Sequence, residues 1–471
     1  LTHAATNTLG RLHFVGIGGI GMAALAELFH ARGHAVSGSD LVAGATFLRL
    51  GELGVDVQLG QGDIDLTGVE RVVRSSAIAD DNPEIVAAKA HGVPIISRGG
   101  LLAEVMAGKE SIAIAGSHGK TTTSAMTAHA FDVAGLDPTA LIGGRVPRAQ
   151  GGASPVRLGE SDLLVAEVDE SDGSFLLTRP RLAAITNADP EHLDHYGTRE
   201  VLLDAFVSFA NRIPEDGICA LGIDHPGVRE IDARITAPKI RFGFDESADL
   251  RATRVEAIPG GQRCHITLPD GRSASFDLPM PGRHNILNAL AAIALGLSQG
   301  IDVSILTKSF ATFPGVSRRF ERKGQVGSML IVDDYAHHPA ELRATLEGAR
   351  SVHEGPITAL FQPHRFTRTR DCWDDFLGAF ANADRVIITE IYAASEEPIE
   401  GISGEALARA IGDGGHPDVH FGGSLDSILD AWPARLRENE LLMTLGAGDV
   451  VSLGPRLLSA LETQANAEGN R

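Results

Sequence analysis

The stretch SIAIAGSHGKTTT, residues 111–123, decides how the chain is read. Ser111–Gly116 is an apolar run short enough for one buried strand, and it ends on a glycine. Gly116-Ser117-His118-Gly119-Lys120-Thr121-Thr122-Thr123 then opens a helical pattern. Backbone N–H donors at a helix start, a lysine for the β- and γ-phosphates and a hydroxyl for Mg2+ make a nucleoside-triphosphate cradle. The expected ATP-binding residues are therefore Gly116, Ser117, His118, Gly119, Lys120, Thr121 and Thr122. The loop is shorter than the general G-x-x-x-x-G-K-[ST] pattern, because Ile114 stands where that pattern has its first glycine. Lys120 is the only lysine between Lys109 and Lys239, so no neighbour can replace its charge.

Upstream, Gly16-Ile17-Gly18-Gly19-Ile20-Gly21 satisfies G-x-G-x-x-G between a strand (11–17) and a helix (20–32). Glycines there let a pyrophosphate approach the backbone, and Asp40, ending the next strand, is placed to accept from a ribose or base. The motif alone reads as an NAD fingerprint; a UDP-sugar pyrophosphate makes the same physical demand. Downstream, LLVAEV (163–168) and LAAITNAD (182–189) read as buried central strands. Each leads into acids: Glu167-Val168-Asp169-Glu170-Ser171-Asp172, and Asp189-Pro190-Glu191-His192. Mg2+ takes hard oxygen ligands and keeps several waters, so Thr121 with a carboxylate from the first run is a sufficient protein share. His192, within an acidic turn, reads as a further metal ligand.

Residues 240–278 alternate with turn signals, the pattern of an antiparallel subsheet, and a helix follows over 284–298. A hinge-like FPGV (313–316) precedes a third α/β run with strands at 328–336, 357–363, 385–391 and 441–450. The expected fold is α/β in three domains: Rossmann-like 1–109, a central P-loop ATPase-type α/β domain with an antiparallel subsheet at 110–316, and Rossmann-like 317–471.

Composition agrees with a soluble enzyme. The 471 residues suffice for about three domains of roughly 150 residues. With 41 Lys and Arg against 61 Asp and Glu, the formal charge is −20, unsuited to nonspecific nucleic-acid or anionic-membrane binding. Cys219, Cys264 and Cys372 are odd in number and lie far apart, so neither a disulfide framework nor a cysteine-rich zinc site is expected. That usage suits a reducing cytoplasm. No apolar run reaches the roughly 18 residues of a membrane span, and no signal peptide is evident at the N-terminus.

GSHGKTTT, EVDESD, NADPEHLDH, PGRHNILNALAA (281–292) and DDYAHHP (333–339) together resemble the Mur ligases of peptidoglycan synthesis, in order and over about residues 11–450. GIGGIGM and QPHRFTRTRD (362–371) point to the alanine-adding branch of that family. The resemblance implies an ATP-dependent acid–amino acid ligase that joins L-alanine to the lactyl carboxylate of UDP-N-acetylmuramate through an acyl phosphate. ATP and two Mg2+ ions are expected, Mn2+ being able to substitute, in a cytoplasmic monomer or homodimer.

On this reading Gly16, Gly18, Gly19, Ile20 and Gly21 cradle the UDP pyrophosphate, not NAD, with Asp40, Ser75, Ser76 and Arg98 beside the nucleotide and sugar. Thr121, Glu167 and His192 hold metal. His284, Asn285 and Asn288 contact adenosine, and Arg319 and Asp334 reach ATP. Arg365 and Arg368 hold the amino-acid carboxylate near Tyr335 and His337. The implied catalytic set is Lys120, Glu167, His192, Arg319 and His338, the last as one candidate base beside His195 and water. Several relatives carry a carbamylated lysine about fourteen residues after the motif histidine; Phe206 stands there, so the second metal is expected to be held without a carbamate. Ser117 stands where threonine is commoner. The alternatives are the recycling ligase that joins a ready-made tripeptide to UDP-N-acetylmuramate, and an NAD-dependent oxidoreductase, which leaves GSHGKTTT unexplained.

Overall fold

The computed structural model describes residues 10–62, 64–147, 152–432, 435–437 and 439–469. The start of the chain, where a signal peptide was not expected, lies mostly outside them. Three sheets organise the described chain. In the first, β1 (Arg11–Val15), β2 (Val36–Asp40), β3 (Asp56–Leu59), β4 (Val69–Arg74) and β5 (Ile95–Ser97) run parallel in the order β3-β2-β1-β4-β5. This is the doubly wound pattern expected around the first glycine turn.

The second sheet holds β6 (Glu110–Ala115), β7 (Thr139–Pro147), β8 (Ala153–Arg157), β9 (Leu163–Glu167), β10 (Leu182–Ile185), β11 (Ile218–Gly222), β12 (Lys239–Gly243), β13 (Leu250–Ile258), β14 (Gly261–Thr267) and β15 (Ser273–Leu278). Its order is β15-β14-β13-β12-β11-β10-β6-β9-β7-β8. β6, β9, β10 and β11 are parallel and β7–β8 antiparallel. β13 and β14 are joined by Pro259-Gly260, a connection too short for anything but an antiparallel pair. Gly260 and Gly271 take positive φ at the two tips of this expected subsheet.

The third sheet has β16 (Glu321–Val326), β17 (Met329–Asp334), β18 (Ile357–Phe361), β19 (Arg385–Thr389), β20 (Val419–Gly423) and β21 (Leu441–Leu445), ordered β16-β17-β21-β18-β19-β20. Only β16, at the edge, is antiparallel to its neighbour.

Packing gathers these into two compact units: residues 1–254, 265–276 and 287–314 in one, the remainder in the other. In the first, the helix Ile20–Ala31 is buried throughout Met22–Phe29, its one acid in that stretch, Glu27, being paired with Arg49 at 2.9 Å. It packs on β7 and β8 of the second sheet as well as beneath its own, so a single core runs from Leu12 to Ala237. In the second unit the two faces of each strand feed separate cores. Val332, Phe361 and Met443 go to one, and Ile331, Leu360 and Leu442 to the other.

Phe206 is fully buried, its ring 5.4 Å edge-on to Phe175. It belongs to the core, with no polar task. Phe206→Ala should cost about 3–5 kcal/mol of stability, read as a lowered urea midpoint; an unchanged midpoint would contradict this packing.

Candidate active site

The expected motifs fall at the carboxyl ends of parallel strands, where α/β sheets bind ligands. β6 ends at Ala115, and the loop Gly116–Gly119 carries the chain into the helix Lys120–Val133. Gly116 and Gly119 have φ of 127° and 80°, which a side chain would strain. A Cβ on Gly119 would also lie 2.5 Å from Asn288 Oδ1.

The turn after β10 clamps this loop. His118 N–H donates to Asn187 Oδ1 (2.8 Å), while Thr186 Oγ1 (2.6 Å) and Asn187 Nδ2 (2.9 Å) donate to His118 O. Asn288 accepts from Thr123 Oγ1 at 3.1 Å, and Asn285 Nδ2 donates to Pro281 O at 2.7 Å. Both asparagines, expected at adenosine, thus also brace local backbone and helix.

Lys120 Nζ lies 2.6 Å from Gly116 O and 2.9 and 2.8 Å from the two carboxylate oxygens of Glu170. Burial opposes its charge, but Glu170, Glu167 and Asp169 outweigh burial and raise its pKa. Glu170, 1% exposed, also lies 3.7 Å from His192 Nε2. Glu167, expected as the metal carboxylate, is the last residue of β9, accepts from Gly143 N–H at 2.8 Å and lines the cavity at the first glycine turn. Glu170 lies three residues on, with both carboxylate oxygens at Lys120. Glu170, Thr186 and Asn187 were the residues missed; they stand inside the quoted motifs, but sequence spacing alone does not say which acid faces the lysine.

The first glycine turn forms one wall of a cavity of about 290 Å³. Gly19, Ile20, Gly21, Ser75, Ser76 and Arg98 line it, with Glu167 and Asp169 opposite. Gly16 and Gly18 shape the turn behind: Gly16 has φ 82°, and Gly18 N–H donates to Asp40 Oδ2 at 2.8 Å. The other Asp40 oxygen takes Val42 N–H at 3.1 Å, so Asp40 also holds the turn. Arg98 Nη2 pairs with Asp169 Oδ2 at 3.0 Å, linking this cavity to the acidic run that carries Glu170.

The second unit carries His284, Arg319, Asp334, Tyr335, His337, His338, Arg365 and Arg368. Arg318 and Arg319 both approach the Tyr335 ring, at 5.0 and 5.1 Å from its centroid. Asp334 accepts from Phe320 N–H (2.7 Å) and Ala336 N–H (2.8 Å), fixing that turn. Burial lifts its pKa to about 6, against the pull of Arg319 and the two N–H groups. Burial, then Arg319, lowers His284 to about 4.

His337 sits between the rings of Tyr335 (5.2 Å) and His364 (6.0 Å), and Arg368 Nη1 donates to His364 Nδ1 at 3.1 Å. Arg365, at φ 71°, begins the next helix beside them. His338, a candidate base, instead caps the helix Pro339–Val352: Ala340 N–H donates to its Nδ1, and its Nε2 lies 3.6 Å from Cys372 Sγ. His195 packs edge-on against Tyr196 at 4.7 Å.

Family models match in the same order as the sheets: "Mur ligase family, catalytic domain" over residues 11–110, "Mur ligase middle domain" over 114–296 and "Mur ligase, glutamate ligase domain" over 318–448. The chain belongs to the Mur ligase family. It is 46% identical over 452 residues to the UDP-N-acetylmuramate–L-alanine ligase of Anaeromyxobacter sp. (strain Fw109-5), covering 96% of this chain and 98% of that protein. The enzyme of the same name from Solidesulfovibrio magneticus is 44% identical, with 96% and 99% covered.

Among solved structures, the UDP-N-acetylmuramate–alanine ligase of Thermotoga maritima matches with a TM-score of 0.83 at 28% identity, over 97% of this chain and all of that one. A murein peptide ligase from Psychrobacter arcticus matches with 0.69 at 26%, over 96% and 98%. The three-domain α/β architecture of Mur ligases is therefore that of this chain, and the oxidoreductase alternative falls away.

His364 yields a pH prediction for the Mur fold. Burial, then Arg368, His337 and Arg365, hold its pKa near 4, below the ordinary histidine value of 6.5. The stability tied to the neutral ring is complete above pH 6.5 and is lost as pH falls through 4, because the unfolded chain binds the proton first. Thermal unfolding should show His364→Asn losing less stability than the parent between pH 7 and 5; parallel slopes would remove His364 from the acid response.

Proposed function

We propose that this Mur ligase joins L-alanine to the lactyl carboxylate of UDP-N-acetylmuramate, forming a peptidoglycan precursor and releasing ADP and phosphate. The observation that carries the reading is the acidic run 167–172: Asp169 faces the glycine-turn cavity through Arg98, and Glu170 holds Lys120 of the phosphate cradle. A sugar acid bound at the turn and a triphosphate bound at the cradle meet at one segment of chain. The division of labour follows as residues 1–109 for the UDP-sugar, 110–316 for ATP and 317–471 for the amino acid. No helix among the described residues is long and apolar enough to cross a membrane, in keeping with a cytoplasmic site of action.

A free carboxylate is a poor electrophile, since an amine cannot displace oxide from it. Transfer of the γ-phosphoryl group to the lactyl carboxylate breaks the bond to ADP and forms an acyl phosphate. The alanine nitrogen attacks the acyl carbon, loses a proton and expels phosphate, leaving the amide. Two anions meet in the first step, so the protein's task is alignment and charge neutralisation. Lys120 and the loop N–H groups orient the phosphates. Arg319 adds positive charge, and Arg365 and Arg368 present guanidinium forks for the amino-acid carboxylate.

The residues that would hold Mg2+ or Mn2+ are Thr121 at the helix start, Glu167 at the end of β9 and His192, and their hydroxyl, carboxylate and imidazole donors suit either ion. When bound, the metal supplies charge neutralisation at the phosphates.

Phosphate release from ATP, measured with UDP-N-acetylmuramate and either L-alanine, other amino acids or the preformed tripeptide, tests the reading. Release with alanine supports it; release with the tripeptide alone reassigns the chain to recycling, for which the Psychrobacter likeness gives a structural precedent. Lys120→Ala should lower turnover at least 10³-fold, roughly the loss seen when a key transition-state charge is removed, while UDP-sugar binding persists. Arg365→Ala should raise the KM for alanine with little change in that for ATP; an unaltered alanine KM would move the carboxylate site elsewhere.

A further inference from the structure

Arg365, which follows β18, sits in an unusual place for an arginine. Its φ is 71° and its ψ 139°, a combination that a residue with a side chain holds only where its surroundings enforce it. Arg365 is also the N-cap of the helix Phe366–Asp371, where a serine, threonine, aspartate or asparagine would accept from the first free N–H groups. A guanidinium only donates, so this side chain cannot cap the helix. The acceptor comes instead from the segment after β19. Glu396 Oε2 accepts from Thr367 N–H at 3.0 Å, and Glu396 Oε1 accepts from Thr367 Oγ at 2.6 Å.

The same segment holds the other side of Arg365. Arg365 N–H donates to Tyr392 O at 2.8 Å and Tyr392 N–H to Pro363 O at 2.9 Å, so β18 and β19 stay paired beyond their ends. Between Tyr392 and Glu396, Ala394 and Ser395 take positive φ (48° and 70°), and Glu396 N–H closes the turn on Ala393 O at 3.0 Å. Arg365 O accepts from Thr369 N–H at 3.1 Å and Thr369 Oγ at 2.8 Å, which ties its peptide to the helix that Glu396 caps. Burial works against a charged Glu396, but the Thr367 bonds and then Arg365 hold its carboxyl below the ordinary range.

We propose that Glu396 is a positioning residue for amino-acid binding: by capping the helix from a neighbouring loop, it holds Arg365 where its guanidinium meets the carboxylate. An arginine at the N-cap leaves the helix start without its usual acceptor, and Glu396 supplies one from outside the helix. Once that acceptor is removed, Thr367 N–H is released and the helix start no longer opposes the strain at Arg365. Its backbone then relaxes towards negative φ, which turns the guanidinium away. The inference rests on the proposed role of Arg365, and the ligand class is the carboxylate of a free amino acid.

Phosphate release by the full chain, at saturating ATP and UDP-N-acetylmuramate, reads the effect. Glu396→Ala should raise the KM for alanine about tenfold, the size of one capping bond to a charged acceptor, with kcat at saturating alanine and the KM for ATP unchanged. Glu396→Gln keeps a carbonyl oxygen for Thr367 N–H and an amide N–H for the Thr367 hydroxyl, and should stay near the parent KM. In an Arg365→Ala background, Glu396→Ala should add nothing, because the residue it positions is gone. A lowered melting temperature in Glu396→Ala with the parent KM for alanine would overturn the proposal, leaving only a stabilising cap. So would a Gln variant as impaired as Ala, or additive losses in the double variant. Amide hydrogen exchange at Thr367 should be faster in Glu396→Ala than in the parent or Glu396→Gln, and it needs no turnover. If the parent releases no phosphate with any acceptor, the proposed function fails; unchanged exchange in Glu396→Ala overturns the clamp itself.

Discussion

The buried pair between Lys120 and Glu170 is the constraint around which the first unit is arranged. A lysine at the first residue of a helix, facing the carbonyls of Gly116 and Ser117, adds charge where the backbone already offers N–H donors. Left alone in that position it would be costly to bury, and so would Glu170. Together they satisfy each other, and the Tyr196 hydroxyl bonds to the Glu170 carbonyl to hold the turn that delivers it. The pair also means that a triphosphate entering the cradle meets an ammonium group already held in place.

A similar device recurs across the chain. Arg98 is held by Asp169 beside the glycine-turn cavity. Arg318 is held by the fully buried Asp333 and by the carbonyls of Gly446 and Ala447, leaving Arg319 with a shared tyrosine face. Arg368 is held by His364. In each case a polar partner or backbone carbonyl orients a cation at the carboxyl end of a strand, and glycine or a positive-φ residue lets the chain turn tightly enough to bring it there. Gly16, Gly116 and Arg365 are those turn positions after β1, β6 and β18.

Much of this was legible in the amino-acid order because it depends on local pattern. The strands expected at 111–116 and 163–168 fold at 110–115 and 163–167, within a residue of expectation, whereas those expected at 182–189 and 441–450 stop at 185 and 445, where the apolar run gives way to Thr186 and Gly446. The antiparallel subsheet announced itself through alternation and the turn signal Pro269-Asp270-Gly271. What pattern could not give was side-chain direction after a strand ends. Once β9 leaves the sheet its alternation stops, so Glu167 and Glu170 look interchangeable in the sequence although one faces Gly143 and the other Lys120. Asp40 and His338 illustrate the same limit: pattern does not show that the side chain of each also binds the backbone of the turn or helix beside it. The shared core from Leu12 to Ala237 was hidden for a different reason, since it arises from two sheets sandwiching one apolar helix, and nothing local marks a helix as doubly covered.

The acidic balance of the chain bears on specificity. A surplus of twenty negative charges repels polyanions such as nucleic acid over the range of a Debye length, about 10 Å at ordinary ionic strength. A nucleotide is different because it is small enough to be surrounded. Inside the cradle the governing distances are the 3 Å bonds of Lys120 and of the loop N–H groups, well inside that screening length. The carboxylates that could oppose it lie against donors: Glu170 at Lys120, Asp169 at Arg98, and Asp189 and Glu191 both within 3.2 Å of His118. An acidic protein can thus bind a multiply charged substrate without becoming a general anion binder, provided the acids at the site are held by its cations and ring nitrogens.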